Sequence, residues 1–227
     1  KDKVFYSSDQ KPVTGKQYEL KVEAPGFNPV SSKSKLPSPI AIHSVIVDST
    51  ILREAYNFYK VNGNYGVYAD EIIKCKISFY DPANEENFYQ LKLYRETEWM
   101  EVDTEGNPIQ KYSFTPSGFY LDRNGLTNLM IINDEMFNGS LYSWDVMVPM
   151  SAFYDFRFRS RAGHKLKLHF TLRHLSSAYF DYHETLELQN IRGSNPFSQP
   201  VIVYSNIENG VGIFAGFSQS VTVLKNH

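Results

Sequence analysis

An all-β fold is predicted by three features of the 227-residue sequence. Aromatic residues make up 15% of it, mostly Tyr and Phe, and flat side chains pack well on a pleated surface. Apolar and polar residues alternate with the period of an extended chain, in runs that recur at short spacing from residue 40 onward. Helical spacing is met in one segment only. Hydrophobic residues at 42% and charged residues at 21% suit a chain that builds a core, which excludes a disordered polymer.

The first 36 residues hold two strand candidates, Lys3–Ser7 and Gln17–Glu23, with Tyr18, Leu20 and Val22 alternating in the second. Pro12 and Gly15 between them mark a loop. A Ser- and Lys-rich stretch then ends at Leu36–Pro37–Ser38–Pro39, where the prolines break both a helix and a central strand. Residues 37–40 are therefore the expected linker. So few strands do not close a sandwich, so 1–36 is expected to be a partial unit ahead of a larger β-rich domain over 41–227. The chain opens on Lys1 with no secretory leader pattern, and a processed or partial product is expected.

In the larger domain Ile40–Val47 and Glu71–Phe79 are the first strands, separated by an aromatic stretch through Tyr65 and Gly66. Asp81–Pro82–Ala83–Asn84 is a turn signal. Phe88–Trp99 and Gln110–Phe114 flank a hairpin tip at Asp103–Asn107, and Asp122–Gly125 turns into Leu126–Ile132. Ser140–Pro149 places Tyr142, Trp144, Val146 and Val148 on one face. Lys165–Leu175 sets Leu166, Leu168, Phe170 and Leu172 against Lys165, Lys167, His169, Thr171 and Arg173. The one helix is expected near 177–190, capped by Ser176–Ser177 and stopped by Gly193. Strands at Val201–Tyr204, Val211–Phe217 and Val221–Leu224 complete the expected sheet, with Ser205–Gly210 as a turn.

A formal net charge of −2 and a pI of about 6.3 exclude a counterion-release nucleic-acid binder. Arg157, Arg159 and Arg161, interleaved with Phe156 and Phe158, read as a solvated strand face. Cys75 stands alone and falls in register with Ile73 and Ile77, which predicts a buried, inert thiol. No apolar run reaches the roughly 18–20 residues of a membrane-spanning helix.

No catalytic, cofactor or metal residues are predicted. His169 and His174 project to opposite faces of a strand, and no paired spacing links them to His164 or His183. Asp103, Glu105 and Asn107 lack the regular ligand series of a calcium loop and read as a polar turn. Asp134–Glu135 and Glu184 with Glu187 are the carboxylate pairs a hydrolase would need brought together by folding. Neither a nucleophile elbow nor a phosphate-cradling glycine loop occurs.

The stretch Asn195–Phe217, NPFSQPVIVYSNIENGVGIFAGF, resembles the closing motif of the outer-membrane lipoprotein family of Bacteroidota catalogued as domain of unknown function 4249. Gly15–Phe27 with Leu36–Pro37, and Asp81–Pro82 with Asn87–Phe88–Tyr89, fit the same family. The resemblance implies an incomplete immunoglobulin-like unit at the N-terminus, then an antiparallel sandwich or barrel-like domain with one short helix. It also implies an outer-membrane location through a lipid anchor that lies outside this chain, and a TonB-dependent transporter as partner. A non-enzymatic accessory to nutrient uptake is accordingly expected, binding that transporter or a small-molecule, peptide or glycan ligand. A structural or adhesive β module and a hydrolase are the alternatives. Within the motif, Asn206 and Asn209–Gly210 suit a turn at positive φ. Gly212 and Gly216 are expected in a strand that bulges or is closely approached by another backbone.

Overall fold

The computed structural model describes residues 9–61, 64–120, 126–127, 130–153, 164–193 and 199–225. The Lys3–Ser7 strand, the Asp122–Gly125 turn and the arginines at 157, 159 and 161 lie outside them. In chain order the elements are β1 (Gln17–Val22), β2 (Val30–Lys35), β3 (Ile42–Val61), β4 (Asn64–Tyr80), β5 (Phe88–Val102), β6 (Pro108–Ser117) and β7 (Phe119–Tyr120). There follow β8 (Leu126–Thr127), β9 (Met130–Asn133), β10 (Leu141–Pro149), α1 (Met150–Phe153), β11 (Lys165–Leu175), α2 (Ser177–Gly193) and β12 (Phe217–Lys225). The fold is mostly β, as the alternation predicts, and its paired strands run antiparallel.

The chain divides into two compact units, Lys1–Pro39 with His174–Ser218, and Ile40–Arg173 with Gln219–His227. This differs from the expected division, in which everything after residue 40 forms one domain. The reason is that His174–Ser218 is stitched to the N-terminal residues: Ser31 bridges Glu208, and His174 Nδ1 lies 2.7 Å from the Ser38 carbonyl.

The larger unit is an open sandwich. One sheet has the order β3-β4-β10-β7-β8; the other has β12-β11-β5-β6, with β9 also on β5. Among the described residues neither sheet closes into a barrel. Alternation along β10 buries Trp144, Val146 and Val148, and along β11 it buries Leu166, Leu168, Phe170 and Leu172. Cys75 is buried with Ile73 and Ile77 on β4. Phe79 on that strand is fully buried, and its ring centroid lies 4.7 Å from Tyr89, 5.6 Å from Trp144, 5.8 Å from Tyr142 and 6.1 Å from Phe137. Offset and edge-on rings of this kind add attraction beyond the area they bury.

Several strands differ from their sequence signals. β3 and β4 form one long hairpin in which Tyr65 and Gly66 pair with Lys60 and Tyr59, where an intervening stretch was expected. Backbone pairing needs no clean apolar alternation, and register shifts at Ile42/Ser44, Val47/Ile51 and Ala55/Asn57 let so long a ribbon bend. The short helix α1 carries no strong sequence signal and was not expected. Val201–Tyr204 and most of Val211–Phe217 lie outside any sheet, where side chains take up several of their backbone groups. The Tyr204 amide donates to Thr185 Oγ1 (2.9 Å) and the Val201 carbonyl accepts from Gln189 Nε2 (3.4 Å), both from α2. Gly212 consequently sits in a loop at φ 131°, not in a strand.

Phe79→Ala removes the ring on which four others pack. It is expected to destabilise the larger unit by about 3–5 kcal/mol, read as a lowered urea midpoint.

Candidate functional site

The constellations singled out in the sequence resolve, among the described residues, into structural roles or exposed side chains. At the β5–β6 tip, Asp103 Oδ1 accepts from the amides of Glu105 (2.9 Å) and Asn107 (2.8 Å), and Oδ2 accepts from Asn107 Nδ2 (3.2 Å). Those bonds, the Asn107 amide foremost, hold the carboxyl below its usual range. Its lone pairs serve the turn itself. Asp134 is buried and accepts from Asn87 Nδ2 (3.2 Å), while Glu135, Glu184 and Glu187 are exposed. Beside it Asp81, also buried, accepts from Tyr89 Oη (2.5 Å) and the Gly139 amide (2.7 Å). Burial, then the Asp81 bond, raises the Tyr89 hydroxyl well above its usual value. Gly139 is at φ 75°, and a Cβ there would stand 2.9 Å from the Ala83 Cβ, so the two loops close only with glycine. Burial likewise pushes the Cys75 thiol up to about 12, far from a reactive thiolate.

The two histidines of β11 do face opposite ways. His174 reaches the Ser38 carbonyl, and His169 Nε2 lies 2.5 Å from Glu96 Oε2. Lys167 donates to Glu96 Oε1 (2.6 Å) and Glu98 Oε1 (2.9 Å), so one ammonium spans two carboxylates projecting from the same face of β5. The hydrogen bond from Lys167, followed by that of His169, holds Glu96 below its ordinary range against the opposing effect of burial. Glu96 is therefore ionised at neutral pH and is not poised as a general acid. Among the described residues no group of three or more His, Cys, Asp or Glu side chains is placed to hold a metal.

Sequence reasoning did not single out the residues around a cleft of about 690 Å³ in the smaller unit, a size typical of small-molecule sites. Tyr18 of β1 and Ser34 of β2, which are paired across the hairpin, line it together with Leu36 and Phe214–Gly216. Residues Gln10–Val13 and Lys16 make its rim. Tyr18 Oη accepts from the Val13 amide (2.5 Å) and donates to its carbonyl (3.2 Å), which fixes the rim to the hairpin. Gly15 donates to the Leu36 carbonyl and Leu36 to that of Lys16, extending the ladder beyond β1 and β2.

The opposite wall belongs to the C-terminal motif. Asn206 donates from Nδ2 to the Phe214 carbonyl and accepts at Oδ1 from the Phe214 amide, each 2.9 Å, mimicking a strand partner with one side chain. Asn209 takes φ 59°, as its turn requires. The Gly216 amide donates to Ser176 Oγ (3.2 Å), and the Ser176 amide donates to the Gly216 carbonyl (2.9 Å). The Ser176 carbonyl meanwhile accepts from Tyr179 and Phe180 at the start of α2. A Cβ on Gly216 would stand 3.0 Å from Leu36 Cδ1, so the close approach expected there is to a side chain, not to another backbone. The alternating Tyr18 and the clustered glycines were visible signals; the rim lysines were not.

A second concavity of about 740 Å³, in the larger unit, is lined by Ile46, Lys74, Lys76, Asp145 and Met147 among others. Among its described lining residues none is aromatic, and Lys76 and Asp145 face each other at 3.7 Å.

An open antiparallel sandwich, with a separate hairpin-and-helix unit carrying a small-molecule-sized cleft, defines the class of this protein. The chain belongs to the family described as Domain of unknown function (DUF4249), whose sequence model matches residues 1–222. No curated protein and no solved structure matches it.

A carboxyl whose folded pKa lies below its ordinary 4.5 contributes stability that is complete above that value and is lost as pH falls through the depressed one. Glu96→Gln is therefore expected to lower the melting temperature at neutral pH by roughly 2–5 °C and to flatten the acid limb of the stability profile. Asn206→Asp loses the donor to Phe214. It should make 206–214 the first segment cut in limited proteolysis, with the urea midpoint of the larger unit unchanged.

Proposed function

We propose that this chain is the non-enzymatic binding module of a Bacteroidota surface lipoprotein that assists a TonB-dependent transporter in nutrient uptake. Membership of the family supports the reading, through the resemblance its C-terminal motif carries. The single observation behind it is the cleft of the smaller unit, since that motif is spent on building one of its walls. The wall is made of Phe214, Ala215 and Gly216, and the facing side of Tyr18 and Leu36. Aromatic and aliphatic walls around a concave space suit capture of a ligand. The carboxylates that a hydrolase would need lend it no help: Asp134 is engaged by Asn87, while Glu135, Glu184 and Glu187 are exposed.

One other surface favours the adhesive alternative. Tyr94 and Phe114 stack at 5.1 Å on the polar face of β5 and β6, where Tyr112 is 62% exposed. Stacked rings on an open sheet suit a sugar face.

The full-length protein, tagged in its native host and purified from detergent-solubilised membranes, is expected to bring down a TonB-dependent transporter in stoichiometric amount. Recovery without any transporter would overturn the accessory role. Tight glycan binding in that circumstance would establish the adhesive one.

A further inference from the structure

We propose that the cleft of the smaller unit takes a soluble small molecule made of an apolar or aromatic body and one anionic group, such as a carboxylate or sulfonate. The inference rests on the reading of this chain as a binding module and specifies its ligand.

The charge distribution around the cleft carries it. Lys11 and Lys16 stand on the rim, and no Asp or Glu is among the described lining residues. Among the described residues neither ammonium has a hydrogen bond or ion pair. Three lysines elsewhere do sit against carboxylates: Lys167 against Glu96 and Glu98, Lys76 against Asp145, and Lys21 against Glu19 at 3.6 Å. The rim thus keeps two cations beside Pro12 and Val13, over apolar walls formed by Leu36, Phe214 and Ala215. Such a site attracts an anion by charge and retains it only if the remainder of the ligand is apolar enough to leave water. A metal cation or a basic peptide meets the wrong sign.

The geometry also fixes the order of importance. Both lysines are solvent-exposed, so each adds modestly and is screened by salt, while the enclosed walls supply the larger share of affinity. The rim is not loose: Tyr18 Oη holds the Val13 backbone at two points, and Lys16 is tied through its carbonyl to Leu36. Two cations held over a preformed space lose less entropy on binding than two on a free loop.

The probes are a matched pair of fluorophores, anilinonaphthalene sulfonate and its neutral counterpart phenylnaphthylamine, which differ by the sulfonate alone. The folded protein should bind the sulfonate saturably, one per chain and roughly 5-fold or more tighter than the neutral probe. The preference should shrink as salt rises. Lys11→Gln combined with Lys16→Gln, both exposed and safe for folding, should erase that preference and leave the neutral probe's affinity unchanged. Equal affinity for the two probes in the wild-type chain would overturn the anionic assignment. So would a sulfonate preference untouched by the double substitution. Saturable binding of the neutral probe in either case would leave the binding-module reading standing. Failure of both probes to bind would overturn the anionic ligand and the use of this cleft together. A chain that selects the sulfonate through Lys11 and Lys16 yet recovers no transporter keeps its ligand class and loses only the accessory role.

Discussion

Phe79 is the contact on which the larger unit depends. It stands on β4 and meets Tyr142 and Trp144 from β10, Tyr89 from β5, and Phe137 from the loop before β10. Phe137 in turn stacks on Tyr142 at 3.9 Å. A sheet is stable only when one of its faces is removed from water, and these rings are where the two sheets meet face to face. Large rings at the junction explain why so much of the sequence is aromatic: each bridges more of the gap between sheets than an aliphatic side chain. The residues of β11 complete the same core with Leu166, Leu168, Phe170 and Leu172.

The polar residues closing this core are as constrained as the rings. Asp81, Asn87 and Asp134 are buried, and each is bonded to the loop that faces it. A buried carboxylate is tolerated only when such donors replace water, so these groups specify how the loops meet. The smaller unit uses the same economy for its backbone. Asn206, Thr185 and Ser176 each satisfy main-chain groups of the 204–216 segment, and that segment forms no ladder. This is how a sequence patterned as strand becomes the wall of a cleft: with no ladder to fill its open side, the space beside it remains available.

Asp103, Asp134, His169 and His174, which look like chemistry in the sequence, are thereby consumed by architecture, whereas the residues left facing an open concavity are unremarkable ones. Lys11 lies in no stretch that carries the family resemblance, and Lys16, Leu36 and Ala215, which do, have no feature of their own that marks a binding residue. Their value comes from being gathered around Tyr18 and Phe214, with Gly216 leaving room for Leu36.

The sequence by itself determined the fold class, the inward face of β10 and β11, the buried Cys75, the hairpin tip at Asp103–Asn107 and the helix beginning after Ser176. All follow from local periodicity or turn chemistry, which act over a few residues and are therefore legible there. It also determined the family, through the motif ending at Phe217. Only the tertiary structure decided that Tyr65 and Gly66 pair within a hairpin, that 201–216 forms no ladder, and that His174–Ser218 returns to the N-terminal residues. It alone decided which lysines lack a carboxylate partner. Strand pairing, side-chain capping and charge neutralisation depend on residues up to 180 positions apart, as between Asn209 and Pro29. No local pattern encodes the neighbour that folding supplies, and the cleft consists of such neighbours.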